Sequence, residues 1–490
     1  MWKSTKSHSH SPQSQWAAIK PFLLAGFSGC TLALCYPPFN LTWLCWVALI
    51  PLILASLGSK TPLRAAAIGA LFGAVFSWIT LGWMIKITPT GWVATAWIGI
   101  FPALWAASLQ ILRKNSAAWW FPLTTGGIWA LIETLRTGFP PYGCNPLATS
   151  TSLLPLLQIC AIGGQASLSA LIAATNVTLA LQWGKPQPKK LGILILIPLA
   201  WAYGEYKLQA TNKNQTTVPI ATIPSDFSPP INTDQRWEMF LKQIDATKKI
   251  APEKPALTIW AEVGPFPILS HQNTWDQLQA LEKELPGALI LTSALYESGE
   301  KYNALFLVDN NFAQVYRKQV LAPKGEYIPH WLPEKWKENR LSPGKNPVIL
   351  ETKGLKIGPL ICLEEIVPQL SLKLARMGAQ ILVCPSNNAT TGLWCAAEQE
   401  KMGRLRSIET GLPMIRVANQ GISSITDAQG RYVQNTTKTT PTLTKVSIET
   451  YPQGTIYTRY PTIAFSLFLI LGIIETAIHL SNRYAHFKQS

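Results

Sequence analysis

The chain has 490 residues, 48% of them hydrophobic and only 14% charged, with a formal net charge of +16 at pH 7. This low share of charge is unusual for a soluble protein and usual for a membrane protein. Basic loop ends that face anionic lipid explain the positive charge, and no basic stripe with interleaved aromatics indicates nucleic-acid binding. The eight cysteines show no C-x-x-C pair and no metal-ligand spacing, so we expect no metal and no other cofactor.

Apolar stretches of membrane-spanning length begin after a polar tail, residues 1–20, which lacks a signal-peptide cleavage site. They are predicted at 21–36, 41–57, 65–85, 91–112, 117–136, 157–183 and 191–207. Residues 21–208 are therefore predicted to form a bundle of seven transmembrane helices. An eighth helix is predicted at 461–481, followed by a second short tail, 482–490.

The basic residues of the loops predict the orientation of these helices. They fall in alternate loops, on the same side as the N-terminal tail: Lys60, Arg64, Arg113, Lys114, Lys185, Lys189 and Lys190. Arg483 and Lys488 follow the last helix on that side as well. Because positive loops remain in the cytoplasm, both tails are predicted to be cytoplasmic and residues 209–460 to lie outside the membrane.

The pattern changes at Val218, where short β-rich runs begin to alternate with amphipathic helical segments, as in an α/β domain. The predicted strands are 218–223, 256–260, 288–294, 304–308, 357–362, 380–384 and 414–418, and the predicted helices are 234–250, 367–377 and 396–410. The segment 329–343, rich in proline and charge, is predicted to be an exposed loop that acts as a lid.

Three polar residues at the ends of predicted strands form a candidate reaction centre: Glu262, Cys362 and Lys318, which follows a further predicted strand at 313–317. A nucleophilic cysteine needs a base for its proton, which Glu262 would supply. Lys318 and the backbone N–H of Leu363 would stabilise an oxyanion. Taken singly, each has a plainer explanation, because cysteines often fill cores, glutamates cap strands and lysines cover surfaces.

The short sequence motifs around these residues, in their order along the chain, resemble those of the nitrilase (carbon–nitrogen hydrolase) superfamily. They are Trp260-Ala261-Glu262, Tyr316-Arg317-Lys318 running into Gly325-Glu326-Tyr327, and Ile361-Cys362-Leu363-Glu364. The resemblance implies an αββα sandwich with a Glu-Lys-Cys triad. It makes Glu262 the general base, Lys318 the oxyanion stabiliser and Cys362 the nucleophile, with Glu326 and Glu364 as supporting acids. Trp237 and Asn303 fall where relatives have substrate-contacting or structural residues.

One branch of that superfamily carries its hydrolase-like domain outside the membrane, between a helix bundle and a last single helix. The whole chain resembles this branch, the apolipoprotein N-acyltransferase family. The resemblance implies transfer of a fatty acyl chain from a phospholipid to the α-amino group of a diacylglyceryl-apolipoprotein, through a thioester on Cys362. It also implies the inner membrane of a two-membrane bacterium, with the catalytic domain in the periplasm.

The sequence departs from the family pattern at two triad-flanking positions and in one later segment. Ala261 replaces a proline, and Leu363 replaces an aromatic residue beside the nucleophile. The segment 386–391 lacks the usual aspartate and aromatics. These departures concern substrate preference more than the chemistry.

Glu133 and Arg136, three residues apart on one predicted transmembrane helix, are either substrate contacts or an interfacial ion pair. Cys384 and Cys395 are rival nucleophiles, although Pro385 after Cys384 has no N–H for an oxyanion hole. Two other functions remain open at this point, a membrane-tethered amidase or nitrilase that uses water, and a transporter or receptor with an inactive outer domain. Few ionisable residues lie within the predicted helices, which disfavours the transporter.

Overall fold

The computed structural model describes residues 12–87, 91–138, 144–183, 186–210, 215–228, 232–262, 272–310, 312–323, 325–327, 340–463, 466–474, 477 and 481. The proposed lid at 329–343 therefore lies largely outside the described residues, as do the two tails for most of their length. The chain forms a helical bundle and an α/β sandwich.

Among the described residues before 211, the bundle has seven helices of eight residues or more. They are α1 (Pro12–Ala33), α2 (Ile50–Leu57), α3 (Pro62–Leu81), α4 (Gly91–Leu112), α5 (Phe121–Arg136), α6 (Cys160–Ala180) and α7 (Leu196–Gln209). Short helical turns lie between them, at Thr42–Trp46, Met84–Ile87, Arg113–Asn115, Leu147–Ser150, Leu154–Leu157, Pro188–Leu191 and Gly192–Ile195.

Five stretches of the described residues are long and apolar enough to cross a membrane: Trp16–Ala33, Pro62–Leu81, Ala96–Asn115, Cys160–Ala180 and Pro188–Gln209. Two predicted spans are shorter than expected. The stretch at 41–57 is a 3₁₀ turn followed by α2, and the stretch at 117–136 contains only the 16 residues of α5. A proline lies at the start of both α2 and α5, where its fixed φ favours the first helical turn. Each helix therefore begins near its proline, and the apolar residues earlier in the run do not belong to it.

The predicted eighth helix, 461–481, is described only in part. Residues 466–474 are helical. Phe468 lies against Gly127 of α5, where an added Cβ would come within 3.0 Å of the phenylalanine ring. The C-terminal segment thus returns to the bundle and packs on α5.

The α/β domain is a four-layer sandwich, as predicted. Its first sheet has the order β12-β1-β2-β3-β4-β5 and its second the order β11-β10-β9-β8-β7-β6. The strands are β1 (Gln215–Ile223), β2 (Leu257–Trp260), β3 (Ala288–Glu297), β4 (Glu300–Asp309), β5 (Phe312–Arg317), β6 (Leu350–Thr352), β7 (Leu355–Pro359), β8 (Ile381–Asn387), β9 (Met414–Asn419), β10 (Ser423–Thr426), β11 (Tyr432–Thr436) and β12 (Thr442–Glu449).

Four helices cover the outer faces of the two sheets: α8 (Thr233–Ile250), α9 (Gln272–Glu284), α10 (Pro368–Arg376) and α11 (Gly392–Thr410). An apolar core between the sheets joins Ile259 of β2 to Ile357 of β7. The sequence missed β6 and β10 to β12. These strands are short or rich in threonine, serine and glutamine and lack a clear apolar period.

The second sheet and its helices pack against one end of the bundle. Leu405 and Ile408 of α11 belong to the apolar core of the bundle, and Leu81 and Ile98 of the bundle lie in the core beneath α10 and α11. Buried polar contacts cross the same seam: Arg406 donates to Oε1 of Gln165 at 2.9 Å, and the N–H of Gln165 donates to Glu409 at 2.7 Å.

Basic side chains of the bundle gather away from this seam. Arg64 donates to the carbonyl of Ala18 at 3.0 Å, and Arg113 donates to the carbonyl of Ser59 at 2.9 Å. Lys190 donates to the carbonyl of Ser116. Three loops that carry positive charge therefore meet at one end of the helices.

Candidate active site

Cys362 lies at the turn that follows β7. The strand ends at Pro359, so the predicted strand 357–362 is too long, and Cys362 instead begins the 3₁₀ turn Cys362–Ile366. Its φ of +51° lies in the left-handed region, which costs a residue with a side chain about 1–3 kcal/mol. Backbone strain of this kind is commonly kept where it orients a functional side chain. The thiol contacts the carbonyl of Asn387 at the end of β8, with Sγ 3.7 Å from the oxygen.

Glu262 comes from the other sheet, two residues after β2. The N–H of Ala261 bonds to the carbonyl of Ile223 on β1, which continues the parallel pairing up to the glutamate. The carboxylate is almost completely buried, and its Oε1 accepts a hydrogen bond of 2.9 Å from the amide of Asn303. Its Oε2 is buried and makes no hydrogen bond of ordinary geometry among the described residues, and the Cys362 thiol lies close enough to favour the charged carboxylate.

Lys318 immediately follows β5, and its N–H pairs with the carbonyl of Asn303 on β4 at 2.9 Å. The ammonium group lies 2.9 Å from Oε1 and 2.8 Å from Oε2 of Glu326. The amide of Asn303 donates to Glu326 at 2.6 Å as well as to Glu262. One asparagine thus links the two carboxylates, and all four side chains are buried.

The electrostatics of Cys362, Glu262 and Lys318 are coupled. Burial raises the pKa of Glu262, and the nearby Lys318 cation opposes part of that rise. Burial and the Glu262 carboxylate raise the pKa of the Cys362 thiol, with Lys318 acting in the opposite direction. Burial lowers the pKa of Lys318, but Glu326 and Glu262 outweigh it and raise the pKa overall. The three groups therefore influence one another's protonation, because Lys318 favours the charged forms of Glu262 and Cys362 while Glu262 favours the charged lysine.

Glu364 connects the cysteine turn to the segment after Lys318. Its Oε1 accepts hydrogen bonds from the Tyr316 hydroxyl at 2.8 Å and from the N–H groups of Gln319 and Val320 at 2.6 and 3.0 Å. Its Oε2 accepts from the N–H of Ile361 at 2.8 Å. Burial raises the pKa of this carboxyl to about 7. The side chain positions both strand ends without contacting Cys362 Sγ.

Two residues to which the sequence analysis gave no role lie beneath the cysteine turn. Glu365 and Arg416 form a buried ion pair with 3.0 Å between Oε2 and Nε. Arg416 also donates to the side chain of Asn388 at 2.9 Å and to the carbonyl of Ile422. The sequence did contain an indication of this pair, because an arginine within the apolar run of β9 requires a buried partner for its charge.

The remaining predicted site residues lie at different distances from this centre. Leu363 is half-buried and packs against the core beneath α10 and α11. Trp237 lies on the outer helix α8, partly exposed, with its ring 5.5 Å from that of Phe240. Its described contacts do not include Glu262, Lys318 or Cys362.

Glu133 and Arg136 form hydrogen bonds to the segment 144–147 of the bundle. Glu133 accepts hydrogen bonds from the N–H of Leu147 at 2.8 Å, from the Ser169 hydroxyl at 2.6 Å and from the Trp129 indole at 3.1 Å. Arg136 donates to the carbonyl of Cys144 at 2.9 Å. Both side chains fasten residues 144–147 to the bundle, and the described contacts include no ion pair between them.

The rival cysteines are enclosed. Cys384 is fully buried on β8, and its thiol lies 3.6 Å from the carbonyl of Cys362. Cys395, on α11, is 1% exposed. Burial raises the pKa of both thiols. Of the residues that the structure describes, no group of three or more His, Cys, Asp or Glu is arranged to hold a metal ion.

Comparison with known proteins gives two family matches that follow the two parts of the fold. Residues 28–178 match the apolipoprotein N-acyltransferase N-terminal domain, and residues 222–456 match the carbon-nitrogen hydrolase family. The apolipoprotein N-acyltransferase of Geobacter metallireducens is 30% identical over 455 residues, covering 84% of this chain and 86% of the relative. The enzyme of that name from Nitrosomonas europaea is 26% identical, covering 94% of this chain and 98% of the relative.

Proposed function

Because the chain belongs to the apolipoprotein N-acyltransferase family, we propose that it transfers a fatty acyl chain from a phospholipid to the N-terminal diacylglyceryl-cysteine of an apolipoprotein. The observation that supports this most is the meeting of Glu262, Lys318 and Cys362 at one edge of a sandwich that is packed on a membrane bundle. Both substrates carry lipid, so an enzyme that joins them benefits from an active site held at the membrane surface.

In the first step, Glu262 takes the proton of the Cys362 thiol, and the thiolate attacks the ester carbonyl of the phospholipid. The carbonyl oxygen becomes an oxyanion, and the Lys318 ammonium stabilises it. When the intermediate collapses, the C–O bond of the ester breaks. Glu262 returns its proton to the departing alkoxide, which leaves as lysophospholipid, and the acyl group remains on Cys362 as a thioester.

In the second step, the α-amino group of the diacylglyceryl-cysteine attacks the thioester carbonyl. Glu262 accepts a proton from the amine, the C–S bond breaks, and the Cys362 sulfur is reprotonated. Glu326 keeps Lys318 charged throughout, and Asn303 keeps the two carboxylates in place. The raised pKa of Glu262 suits a group that must both accept and donate a proton.

We further propose that residues 1–20 and 482–490 are cytoplasmic tails, 21–208 the transmembrane bundle, 209–460 the periplasmic catalytic domain and 461–481 the last transmembrane helix. The location is the bacterial inner membrane. The support comes from Arg64, Arg113 and Lys190, which gather at one end of the helices while the sandwich packs at the seam with α11. Loops rich in lysine and arginine remain on the cytoplasmic side.

The test is the intact mass of the purified protein after mixing with phospholipid vesicles and no acceptor. We expect a gain of one fatty acyl group that maps to Cys362 and is discharged by a diacylglyceryl peptide with a free amino terminus. A thioester that is discharged only by water would instead identify a membrane-tethered hydrolase of the carbon–nitrogen hydrolase type. A folded protein that forms no adduct would refute both activities.

A further inference from the structure

A polar pocket of about 270 Å³ lies between the bundle and the sandwich. We refer to it as the seam pocket. Its charged lining comes from three residues of α11, Glu400, Lys401 and Arg404, and its other walls include Asn40 and Thr149 of the bundle and Tyr432 of β11. None of Glu262, Lys318 and Cys362 lines it.

The Tyr432 wall of the seam pocket is distant from Cys362 within the second sheet. Tyr432 belongs to the edge strand β11, whereas Cys362 follows β7, four positions away in the order β11-β10-β9-β8-β7. At about 4.8 Å between neighbouring strands, this corresponds to roughly 20 Å. The α11 wall is nearer to the cysteine turn, because Gly403, next to Arg404, lies against Glu365.

The pocket carries an excess of one positive charge. Lys401 donates to the side chain of Asn40 at 2.6 Å, and Arg404 donates to the carbonyl of Gly430 at 2.6 Å while its guanidinium lies 4.5 Å from the Tyr432 ring centroid. Among the residues that the structure describes, neither cation forms an ion pair with a carboxylate. An ammonium group has three donors, so Lys401 keeps donors for a ligand.

The carboxylate of the pocket, Glu400, is bonded to a wall residue through one oxygen, and its Oε1 is buried without a hydrogen-bond partner among the described residues. Oε2 of Glu400 accepts a hydrogen bond of 2.9 Å from the Tyr432 hydroxyl. Burial lowers the pKa of Lys401 to about 8, and the neighbouring Glu400 only partly opposes this shift. A partly buried cation without an ion pair among the described residues is stabilised by an anion from outside the chain.

Exposed apolar side chains neighbour residues of the pocket in the sequence. Phe39 and Leu41 flank Asn40 on the turn after α1, and Leu153 follows the pocket residue Ser152. All three side chains are at least 40% exposed. They lie at the ends of bundle helices, where a membrane protein meets the lipid headgroups. A cationic pocket with exposed apolar neighbours at this level matches a molecule with a phosphate head and hydrocarbon tails.

We propose that the seam pocket binds the phosphodiester headgroup of a phospholipid, with Lys401 and Arg404 contacting the phosphate and the acyl chains lying over Phe39, Leu41 and Leu153. The bound lipid would join the sandwich to the bundle through a site that the chemistry does not use. This proposal requires the membrane setting but does not rest on acyl transfer.

The test uses the full-length protein in detergent and dialkyl ether phosphatidylglycerol, which cannot acylate Cys362. Native mass spectrometry and the lipid-induced rise in the unfolding midpoint report binding. Since a charge-assisted hydrogen bond is lost, we expect Lys401→Gln to weaken the seam-pocket affinity by about tenfold or more, and Lys401→Arg to restore it. Lys373→Gln, which changes an exposed lysine of α10, is the matched control and should bind like the wild type.

A second variant keeps the proposal testable if Lys401→Gln fails to fold. Glu400→Gln retains an oxygen for the Tyr432 hydroxyl and removes the one negative charge, so it should bind the lipid more tightly. Wild-type affinity in Lys401→Gln, or weaker binding in Glu400→Gln, would overturn the proposal. Equal displacement by a diacylglycerol would also overturn it, because that probe lacks phosphate. Inorganic phosphate that binds as tightly as the lipid would show a site for the free anion instead.

Discussion

The Nζ atom of Lys318 lies 2.8 Å from Oε2 of Glu326, and both side chains are almost completely enclosed by protein. A buried lysine would ordinarily lose its proton, because burial disfavours the charged form. Glu326 reverses this and raises the pKa of Lys318. The pair therefore maintains a positive charge within the site, where the proposed acyl transfer would generate an oxyanion.

Glu326→Gln should show that the positive charge of Lys318 depends on Glu326. Removing the negative charge lowers the pKa of Lys318, so the lysine loses its proton at a lower pH and the basic limb of the pH–rate profile moves to lower pH. Breaking a buried ion pair also costs about 3–5 kcal/mol of stability. The pH profile of acyl transfer and the unfolding midpoint measure the two effects.

Glu297→Gln is the control for this variant. Glu297 pairs with Arg317, the residue directly before Lys318, at 2.7 Å, but its side chain is half exposed. An exposed pair contributes at most about 1 kcal/mol, so neither the pH profile nor the unfolding midpoint should change much. Equal effects of the two substitutions would contradict the special role of Glu326.

Cys362→Ala should abolish both the acyl adduct and the transfer reaction, to below about one thousandth of the wild-type rate, because no other group can hold the acyl chain. Cys384→Ala is the matched variant, since Cys384 is buried on the neighbouring strand and its thiol lies 3.6 Å from the Cys362 carbonyl. It should retain the adduct. An adduct that persists in Cys362→Ala and disappears in Cys384→Ala would show that Cys384, and not Cys362, is the nucleophile.

Glu364→Gln should destabilise the protein, because its two carboxylate oxygens accept four hydrogen bonds and an amide offers only one acceptor. Each N–H left without a partner costs about 1–3 kcal/mol. The pH dependence has a defined sign. The folded-state pKa of about 7 lies above the unfolded value of 4.5, so wild-type Glu364 stabilises the fold below about pH 4.5 and loses that contribution as the pH rises through 7.

The difference in unfolding free energy between the wild type and Glu364→Gln should therefore be larger at pH 5 than at pH 8. Denaturant unfolding at the two pH values measures it. A difference that grows toward pH 8 would mean that the carboxyl is favoured as the charged form in the folded protein, contrary to its burial.

Glu409→Gln should loosen the seam between bundle and sandwich. Arg406 and Glu409 are both fully buried, with 3.1 Å between Nε and Oε2, and both contact Gln165 of α6. Leaving the arginine without its carboxylate costs about 3–5 kcal/mol. The unfolding midpoint in detergent should fall accordingly, whereas Asp245→Asn, in an exposed pair with Lys249, should change it little. A wild-type midpoint in Glu409→Gln would show that the pair does not hold the seam.

The sequence by itself determined the order of the parts. Long apolar runs, the change of pattern near Val218 and the polar residues after strands predicted a helical bundle, an α/β domain and the candidate group of Glu262, Lys318 and Cys362, and the family resemblance implied the αββα sandwich. These properties are local, since hydrophobic period and strand-end chemistry can be read within about ten residues. The lengths of two helices were predicted less well, because the prolines that begin α2 and α5 decide where an apolar run becomes helical.

The tertiary structure decided which side chains meet. Glu262 and Cys362 belong to different sheets, and the role of Asn303 depends on the pairing of β3, β4 and β5, which places its amide between two carboxylates. Glu365 and Arg416 are 51 residues apart and meet only in the folded chain. Contacts of this kind depend on the packing of one element against another, and the packing of distant segments leaves no periodic trace in a single sequence.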